Sequence, residues 1–404
     1  MKDQPMTTER YHAFDALRAS MMLLGIVLHS ATAYSTFPDV WWLKDPQTSR
    51  GADLLALYIH AFRLPAFFVM SGFFAALLMA RRGWQGFLEN RVARLGLPFV
   101  LTMLVAYPFL KISSVFAHFM TRRPDALAAT LGWLREGRLD RSIEPMHLWF
   151  LETLMLVCLG AAWAAPWLNR ALGGPWFARL MGSRMAPLAW GAATFLTLLL
   201  TEFGILDTPH NFAPNFRVVC AYSVFFAFGW GVYVHRASLD VLRRGGWACL
   251  GLSVVAVMAA IPAIDAQMAQ RETRVWPAFL TVAALMAVAA WLAILGLIGL
   301  FLTHASAASA RQRYLSDSAY WLYLMHPPAL VMAQLPMMGL NWPAEVKFVL
   351  GIAFAVPVLL WSYDQFVRPA SLGVVLNGRR YERWQRQAPR AVPAWADQVA
   401  SQAE

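Results

Sequence analysis

Apolar residues dominate the chain from position 14 to position 363, in runs of about 18 to 25 residues separated by shorter polar segments. Each run is long enough to cross a hydrocarbon layer of about 30 Å as a helix, and its Leu, Ala, Met and Phe content favours helices over barrel strands. We therefore predict an all-α polytopic membrane protein with ten transmembrane helices. The predicted spans are 14–35, 54–79, 95–115, 146–165, 186–204, 217–235, 245–264, 276–301, 316–338 and 345–363.

Lys and Arg are distributed unevenly between the two sets of connecting segments. If the N-terminus is cytoplasmic, the cytoplasmic segments hold 20 of these residues and the opposite side holds 9. Positive residues accumulate on the cytoplasmic side of membrane proteins, so we predict that both termini are cytoplasmic. Except for the 30-residue loop 116–145, no connecting segment is long enough for a second core. We assign residues 1–365 to one transmembrane domain and 366–404 to a polar, basic cytoplasmic tail.

Composition and charge support this class. The 404 residues are 59% hydrophobic and 14% charged, which is too apolar for a soluble protein surface. The net charge of +11 raises nucleic acid as a partner. The positive residues, however, lie at cytoplasmic helix ends and in the tail, where an anionic membrane leaflet is the simpler partner. The three cysteines have no ligand spacing, and we predict no metal site.

Ionisable residues inside predicted spans are costly, by about 2.5 to 3.5 kcal/mol each, and therefore indicate function or a buried partner. The first span contains Asp15, Arg18 and His29. Eleven residues make about three full turns, which places Arg18 and His29 on one helix face about 16 Å apart. This line suits a long anionic ligand whose reactive end reaches the histidine. Alternatively, Asp15 and Arg18 pair with each other and His29 bonds a neighbouring helix.

The second span places Arg63 one turn from His60, at a depth comparable with that of His29. A permanently charged guanidinium there is suited to stabilising negative charge that develops beside the histidine. Pairing of Arg63 with a buried carboxylate is the alternative.

Three further groups of residues are candidates for binding. Arg91 and Arg94, at the start of span three, resemble a phosphate clamp in which guanidinium groups and free helix N–H groups point the same way; topology determinants are the alternative. His147 and Trp149 open span four, and Tyr323 and His326 lie in span nine. Aromatic residues with polar tips suit carbohydrate, or form an interfacial belt. We expect the ninth helix to break at the double proline after His326.

Together, these segments resemble the acyltransferase-3 family of membrane O-acyltransferases over about residues 10 to 365. The matching segments are Arg18 and His29, Phe67 to Phe74, Arg91 and Arg94, His147 to Leu151, and Tyr320 to His326. Within this family, the chain looks most like the branch associated with succinylation of osmoregulated periplasmic glucans. The resemblance implies a bacterial inner-membrane enzyme that transfers an acyl group, such as succinyl or acetyl, from cytoplasmic acyl-CoA to a hydroxyl of a glycan or lipid-linked sugar.

The resemblance also implies roles for the candidate residues. Acyl-CoA would be a co-substrate, with no permanently bound cofactor, and Arg18, Arg91 and Arg94 would hold it. His29 would be the essential residue, as a general base or as an acylated relay, with Asp15 and Arg63 as further catalytic candidates. The substrate-binding candidates are His147, Trp149, Tyr323 and His326.

Two other functions are compatible with the residues alone. A transporter or exporter of an anionic metabolite or glycan would use the same arginines as a translocation path, although no inverted repeat is visible. A sensor or scaffold would leave the alignment of Arg18 with His29 unexplained.

Overall fold

The computed structural model describes residues 11–37, 41, 43–139, 143–270, 274–307, 309–377 and 380–382. The described residues form helices and no strands, which confirms the predicted all-α class. The helices are α1 (His12–Thr32), α2 (Arg50–Arg91), α3 (Leu97–Met120), α4 (Ala126–Arg135), α5 (Trp149–Leu172), α6 (Pro175–Met181), α7 (Ala186–Leu198), α8 (Phe216–Val234), α9 (Gly246–Ala269), α10 (Trp276–His304), α11 (Ala310–Gln334), α12 (Ala344–Ser362) and α13 (Ser371–Asn377).

Each of the ten predicted spans falls on one of these helices. Among the described residues, seven helical segments are long and apolar enough to cross a membrane, and one of them contains both α2 and α3. The helix α7 is apolar but has only 13 residues. The helix α11 does not qualify because residues such as Asp317 and His326 make it more polar. The helix α11, the most polar of the predicted spans, therefore also carries the candidate site residues Tyr323 and His326.

The helices α2 and α10 lie at the centre of the bundle. The helix α2 packs against α1, α8 and α10, while α1 also packs along α11. Large aromatic side chains fill the space around α10: the Trp291 ring stacks on Phe225 at 4.8 Å and meets Phe228 edge-on at 5.0 Å. This packing fixes the positions of α1, α2 and α11, which carry the candidate site residues.

The described start and end of the chain lie at the same end of the bundle. Ser316 on α11 donates a hydrogen bond to the backbone oxygen of Asp15, near the start of α1. Arg94 donates to the backbone oxygen of Leu376 in α13, so the first part of the predicted tail packs against the transmembrane domain. Residues 378, 379 and 383–404 of that tail lie outside the described residues.

A buried ion pair fastens the segment after α1 to α12. The Lys347 ammonium lies 2.9 Å from both carboxylate oxygens of Asp45, and both side chains are almost completely inaccessible to solvent. Nearby, the Ser49 hydroxyl donates to Glu345 at 2.6 Å. These contacts give Lys347, which the sequence placed inside a span, a structural role at the first turn of α12.

We predict that Lys347→Met lowers the free energy of unfolding by about 3–5 kcal/mol, because it leaves the Asp45 carboxylate buried without its counter-ion. The double variant Asp45→Asn, Lys347→Met should recover most of this loss, since the Asn oxygen still accepts the Gln47 N–H. Thermal unfolding in detergent measures both effects. Lys111→Met is the control, because the Lys111 ammonium is 4.0 Å from Glu144 and its side chain is 25% exposed. Equal losses in the single and double variants would contradict the prediction.

Candidate active site

A cavity of about 630 Å³ opens at the end of the bundle opposite to the described chain ends. Its walls come from the last turn of α1, the first half of α2, the first turn of α5, the last turns of α9, and the segment between α7 and α8. His29, His60, Arg63, His147, Trp149 and Tyr323 all line it. The fold therefore brings together, in one cavity, residues from four of the predicted spans.

His29 occupies the inner part of this cavity, on the last turn of α1. Its ring is stacked between two others: the Trp41 ring lies 4.2 Å away at 18°, and the His326 ring lies 5.0 Å away at 27°. The His29 Nδ1 atom is buried and has no hydrogen-bond partner among the described residues. With both faces covered, a ligand reaches His29 only at the edge of the ring.

Two other histidines are held in defined orientations by backbone carbonyls of α11. His147 Nε2 lies 3.1 Å from the Leu324 oxygen, and His326 Nδ1 lies 2.7 Å from the Tyr323 oxygen. A carbonyl only accepts hydrogen bonds, so each of these nitrogens carries a proton. The Tyr323 hydroxyl in turn donates to the His147 backbone oxygen at 2.8 Å. These three candidates therefore form one hydrogen-bonded group behind His29.

The double proline explains why those two carbonyls are available. Pro327 and Pro328 have no N–H, so neither can donate to the carbonyl four residues earlier, and these are the carbonyls of Tyr323 and Leu324. The expectation that the helix breaks at this point is wrong: α11 continues through both prolines to Gln334. The histidine side chains replace the missing donors, and the helix stays intact.

Arg63 is a buried cation in the cavity wall, with 4% of its surface exposed. Its Nε donates to the Met21 backbone oxygen at 2.9 Å, and it makes no ion pair with any carboxylate of the described residues. The alternative in which Arg63 pairs with a buried carboxylate is therefore not supported. Its charge lies close enough to His29, His147 and His326 to interact with all three rings.

Gly25 makes room for this guanidinium. A β-carbon added at Gly25 would overlap the terminal atoms of Arg63. Gly25 lies one turn before His29 on α1. The space at this glycine therefore lets the Arg63 guanidinium pack against α1 within one helical turn of the His29 imidazole. Arg63 and His29, which the sequence analysis placed at comparable depths, line the same cavity, and the close approach at Gly25 is the structural cause.

The arginines predicted to bind the donor lie elsewhere, at the end of the bundle that carries the described chain ends. Arg18, Arg91 and Arg94 are close enough for their charges to repel one another. Arg18 forms an ion pair of 3.2 Å with Asp15 and packs over the Phe74 ring. The structure thus gathers the three arginines into one basic cluster and adds Asp15 to it.

Two candidates of the first span, Arg18 and Asp15, lie apart from His29, and their ion pair agrees with the alternative given for them in the sequence analysis. Arg18 does not line the cavity that contains His29. The two residues share one face of α1, but they are about 16 Å apart along it, with Arg18 in the basic cluster and His29 in the cavity. Asp15 is still further from His29 and pairs with Arg18 instead. The structure therefore brings together His29 and Arg63 but places Asp15 and Arg18 outside their surroundings.

Arg91 and Arg94 also do not stand at a free helix N-terminus. The helix breaks earlier, at Gly83, whose φ of 66° favours glycine. From there it runs through Arg91 and the π-helical turn Val92–Gly96 into α3, and the Val92 N–H donates to Leu88 and Glu89. Backbone N–H groups are consequently occupied, and only the guanidinium groups remain for binding an anion.

Trp41 and Gln267 are cavity residues that the sequence analysis missed. Trp41 lies in the segment between α1 and α2, where an interfacial aromatic residue is common and gives no specific signal. Gln267, near the end of α9, is uncharged and was not among the ionisable residues considered. It lies just beyond the predicted span 245–264, in a polar stretch that begins with Asp265, so the sequence contained no specific signal for it.

Comparisons with known proteins show the family of the chain. The family model of acyltransferase-3, described as an acyltransferase domain, matches residues 11–363. Glucans biosynthesis protein C of Escherichia coli O139:H28 is 24% identical over 392 residues, which are 93% of this chain and 96% of that protein. The protein of the same name from Escherichia coli K12 is 29% identical over 160 residues, 39% of this chain and 40% of that protein. No solved structure matches the chain.

We predict that Arg63→Met changes the free energy of unfolding by less than about 1 kcal/mol, or raises it, because the substitution removes a buried charge that has no described counter-ion. Lys347→Met is the matched comparison, since it removes a buried cation that is paired. Thermal unfolding of the two variants in the same detergent measures the difference. A loss of stability in Arg63→Met as large as that in Lys347→Met would show that a counter-ion is present.

Proposed function

The chain belongs to the acyltransferase-3 family, and we propose that it is a membrane O-acyltransferase that transfers an acyl group from cytoplasmic acyl-CoA to a hydroxyl of a glycan or lipid-linked sugar. Glucan is the acceptor that the name of its Escherichia coli relatives favours. Succinyl or acetyl is the acyl group that the family resemblance implies. The observation that carries this proposal is the convergence, in one cavity, of His29 and of Arg63, a cation that pairs with no carboxylate of the described residues.

The proposed topology has ten spans in a bacterial inner membrane, with both termini in the cytoplasm. The excess of Lys and Arg in the assigned cytoplasmic segments supports this orientation. The basic cluster then faces the cytoplasm, where acyl-CoA is made, and the cavity opens on the opposite side of the membrane. Donor and acceptor accordingly approach from different sides.

Arg18, Arg91 and Arg94 are proposed to bind the phosphates of coenzyme A at the cytoplasmic face. Guanidinium groups form strong charge-assisted hydrogen bonds to phosphate. Arg91 Nε is buried without a hydrogen-bond partner among the described residues, which leaves a donor available there. The flexible, uncharged arm of coenzyme A then has to cover the distance of about 16 Å along α1 towards His29.

In the proposed reaction, His29 acts as a general base at the edge of its ring. It takes the proton from the acceptor hydroxyl as that oxygen attacks the thioester carbon. Arg63 stabilises the negative charge that develops on the carbonyl oxygen. The carbon–sulfur bond then breaks, the ester forms, and the proton on His29 passes to the thiolate of coenzyme A. His147 and His326 hold the group behind His29 in place, and Trp149 and Tyr323 contact the acceptor.

We predict that His29→Ala lowers acyl transfer by at least about 100-fold, because general base catalysis typically contributes 10²–10⁴-fold. The assay supplies labelled succinyl-CoA or acetyl-CoA and a glucan oligosaccharide to membranes with matched protein levels. His304→Ala is the control, because His304 is an exposed histidine at the end of α10. Unchanged transfer in His29→Ala would exclude both the base and the relay, whereas label on the wild-type protein without acceptor would favour the relay.

We predict that Arg91→Ala combined with Arg94→Ala raises the KM for acyl-CoA by at least about tenfold, because each charge-assisted hydrogen bond contributes about 1.5–3 kcal/mol. The KM for the acceptor should change little. Arg170→Ala serves as the control, since Arg170 is an exposed arginine near the end of α5. An unaltered KM for acyl-CoA in the double variant would place the donor elsewhere.

A further inference from the structure

Gln267 is a buried polar residue whose side-chain oxygen has no hydrogen-bond partner among the described residues. It has 5% of its surface exposed and lines the cavity from α9. Its Oε1 is buried and accepts no hydrogen bond from the described residues. A buried amide oxygen without a donor costs roughly 1–3 kcal/mol by protein mutational data, so a ligand that supplies a donor would recover a substantial free energy.

The surroundings of Gln267 determine what kind of ligand fits. Leu57, Ile261, Ile264 and Met268 line the same part of the cavity and are apolar. The nearby Arg50 is paired with Asp265 at 2.7 Å, so its charge is already compensated and does not favour an anion. An amide beside an apolar wall suits a neutral sugar ring, whose hydroxyls hydrogen-bond at its edge while its apolar face contacts the aliphatic side chains.

Gln267 also lies far from the reaction centre. Two contacts fix how α2 and α9 run past each other: the Tyr58 hydroxyl lies 2.8 Å from Ser253 Oγ, and Arg50 pairs with Asp265. Gln267 is therefore level with the start of α2, close to Arg50. Along α2, Arg50 and Arg63 are separated by 13 residues, or about 20 Å. A ligand that touches both ends of the cavity has to be longer than one sugar ring.

We propose that Gln267 and the adjoining apolar wall form a remote subsite that binds a non-reacting sugar unit of an extended, neutral acceptor. The inference rests on the proposed function, because it takes the hydroxyl near His29 to be the reacting one. The subsite contributes to acceptor affinity and to preference for chain length. It takes no part in the chemical step.

The test compares Gln267→Leu with Gln270→Leu, since Gln270 is an exposed glutamine directly after the end of α9. The acceptors are glucose and a linear glucose tetrasaccharide. In Gln267→Leu, we expect the KM for the tetrasaccharide to rise about three- to tenfold, which corresponds to one lost neutral hydrogen bond. The KM for glucose and both kcat values should stay unchanged, and Gln270→Leu should match the wild type.

Several outcomes would overturn the subsite. One is an equal change in the KM of Gln267→Leu for both acceptors, and another is no change in either KM. A third is that the wild type selects acceptors by an attached lipid and not by the length of the sugar chain. Binding of the tetrasaccharide to His29→Ala, with and without Gln267→Leu, tests the subsite without acyl transfer. If Gln267→Leu weakens tetrasaccharide binding three- to tenfold, the subsite is supported. If the wild type transfers no acyl group, only the proposed function is refuted.

Discussion

Two carbonyls freed by consecutive prolines hold the site together. In a membrane interior, a carbonyl without a donor is costly, so Tyr323 and Leu324 need replacements for the N–H groups that Pro327 and Pro328 lack. His326 and His147 supply them, and the orientation of each ring follows. Because the His326 ring stacks on His29, the constraint on α11 extends to the residue proposed to perform the chemistry. A feature that usually disrupts a helix here positions three imidazoles.

The buried cations of this chain have two different roles. Lys347 is neutralised by Asp45 and fastens a segment to α12, so its charge stabilises the fold. Arg63 has no such partner among the described residues, and Gly25 allows it to lie beside His29. A permanent charge with no carboxylate partner in the described part of the chain is available for a ligand or for negative charge that forms during a reaction. The contrast between the two cations explains why Arg63 belongs to the site and Lys347 does not.

Periodicity and hydrophobicity predicted the helices, because the bilayer dictates their length and composition. The proximity of His29 and Arg63 was also predictable, since the depth of each residue follows from its place in a span. Contacts that depend on how neighbouring helices are rotated and shifted relative to one another were not predictable from the sequence. The stacking of Trp41 on His29 and the orientation of Gln267 are of this kind. The separate surroundings of Arg18 and His29 could not be read from one helix face either, since other helices decide where a cavity ends.

The separation of the basic cluster from the cavity has an electrostatic rationale in the proposed reaction. Coenzyme A carries its charge on phosphates at one end and its reactive thioester at the other. Moving phosphates into the bundle would cost several kcal/mol per charge, whereas the arm and the thioester are uncharged. Arginines at the cytoplasmic rim keep the phosphates in a solvated, compensated position while only the neutral part extends along α1. In the proposed reaction, Arg63 supplies, at the far end, the positive charge that the reacting carbonyl requires. The acyl group is transferred across the membrane, and the charged phosphates of the donor stay on the cytoplasmic side.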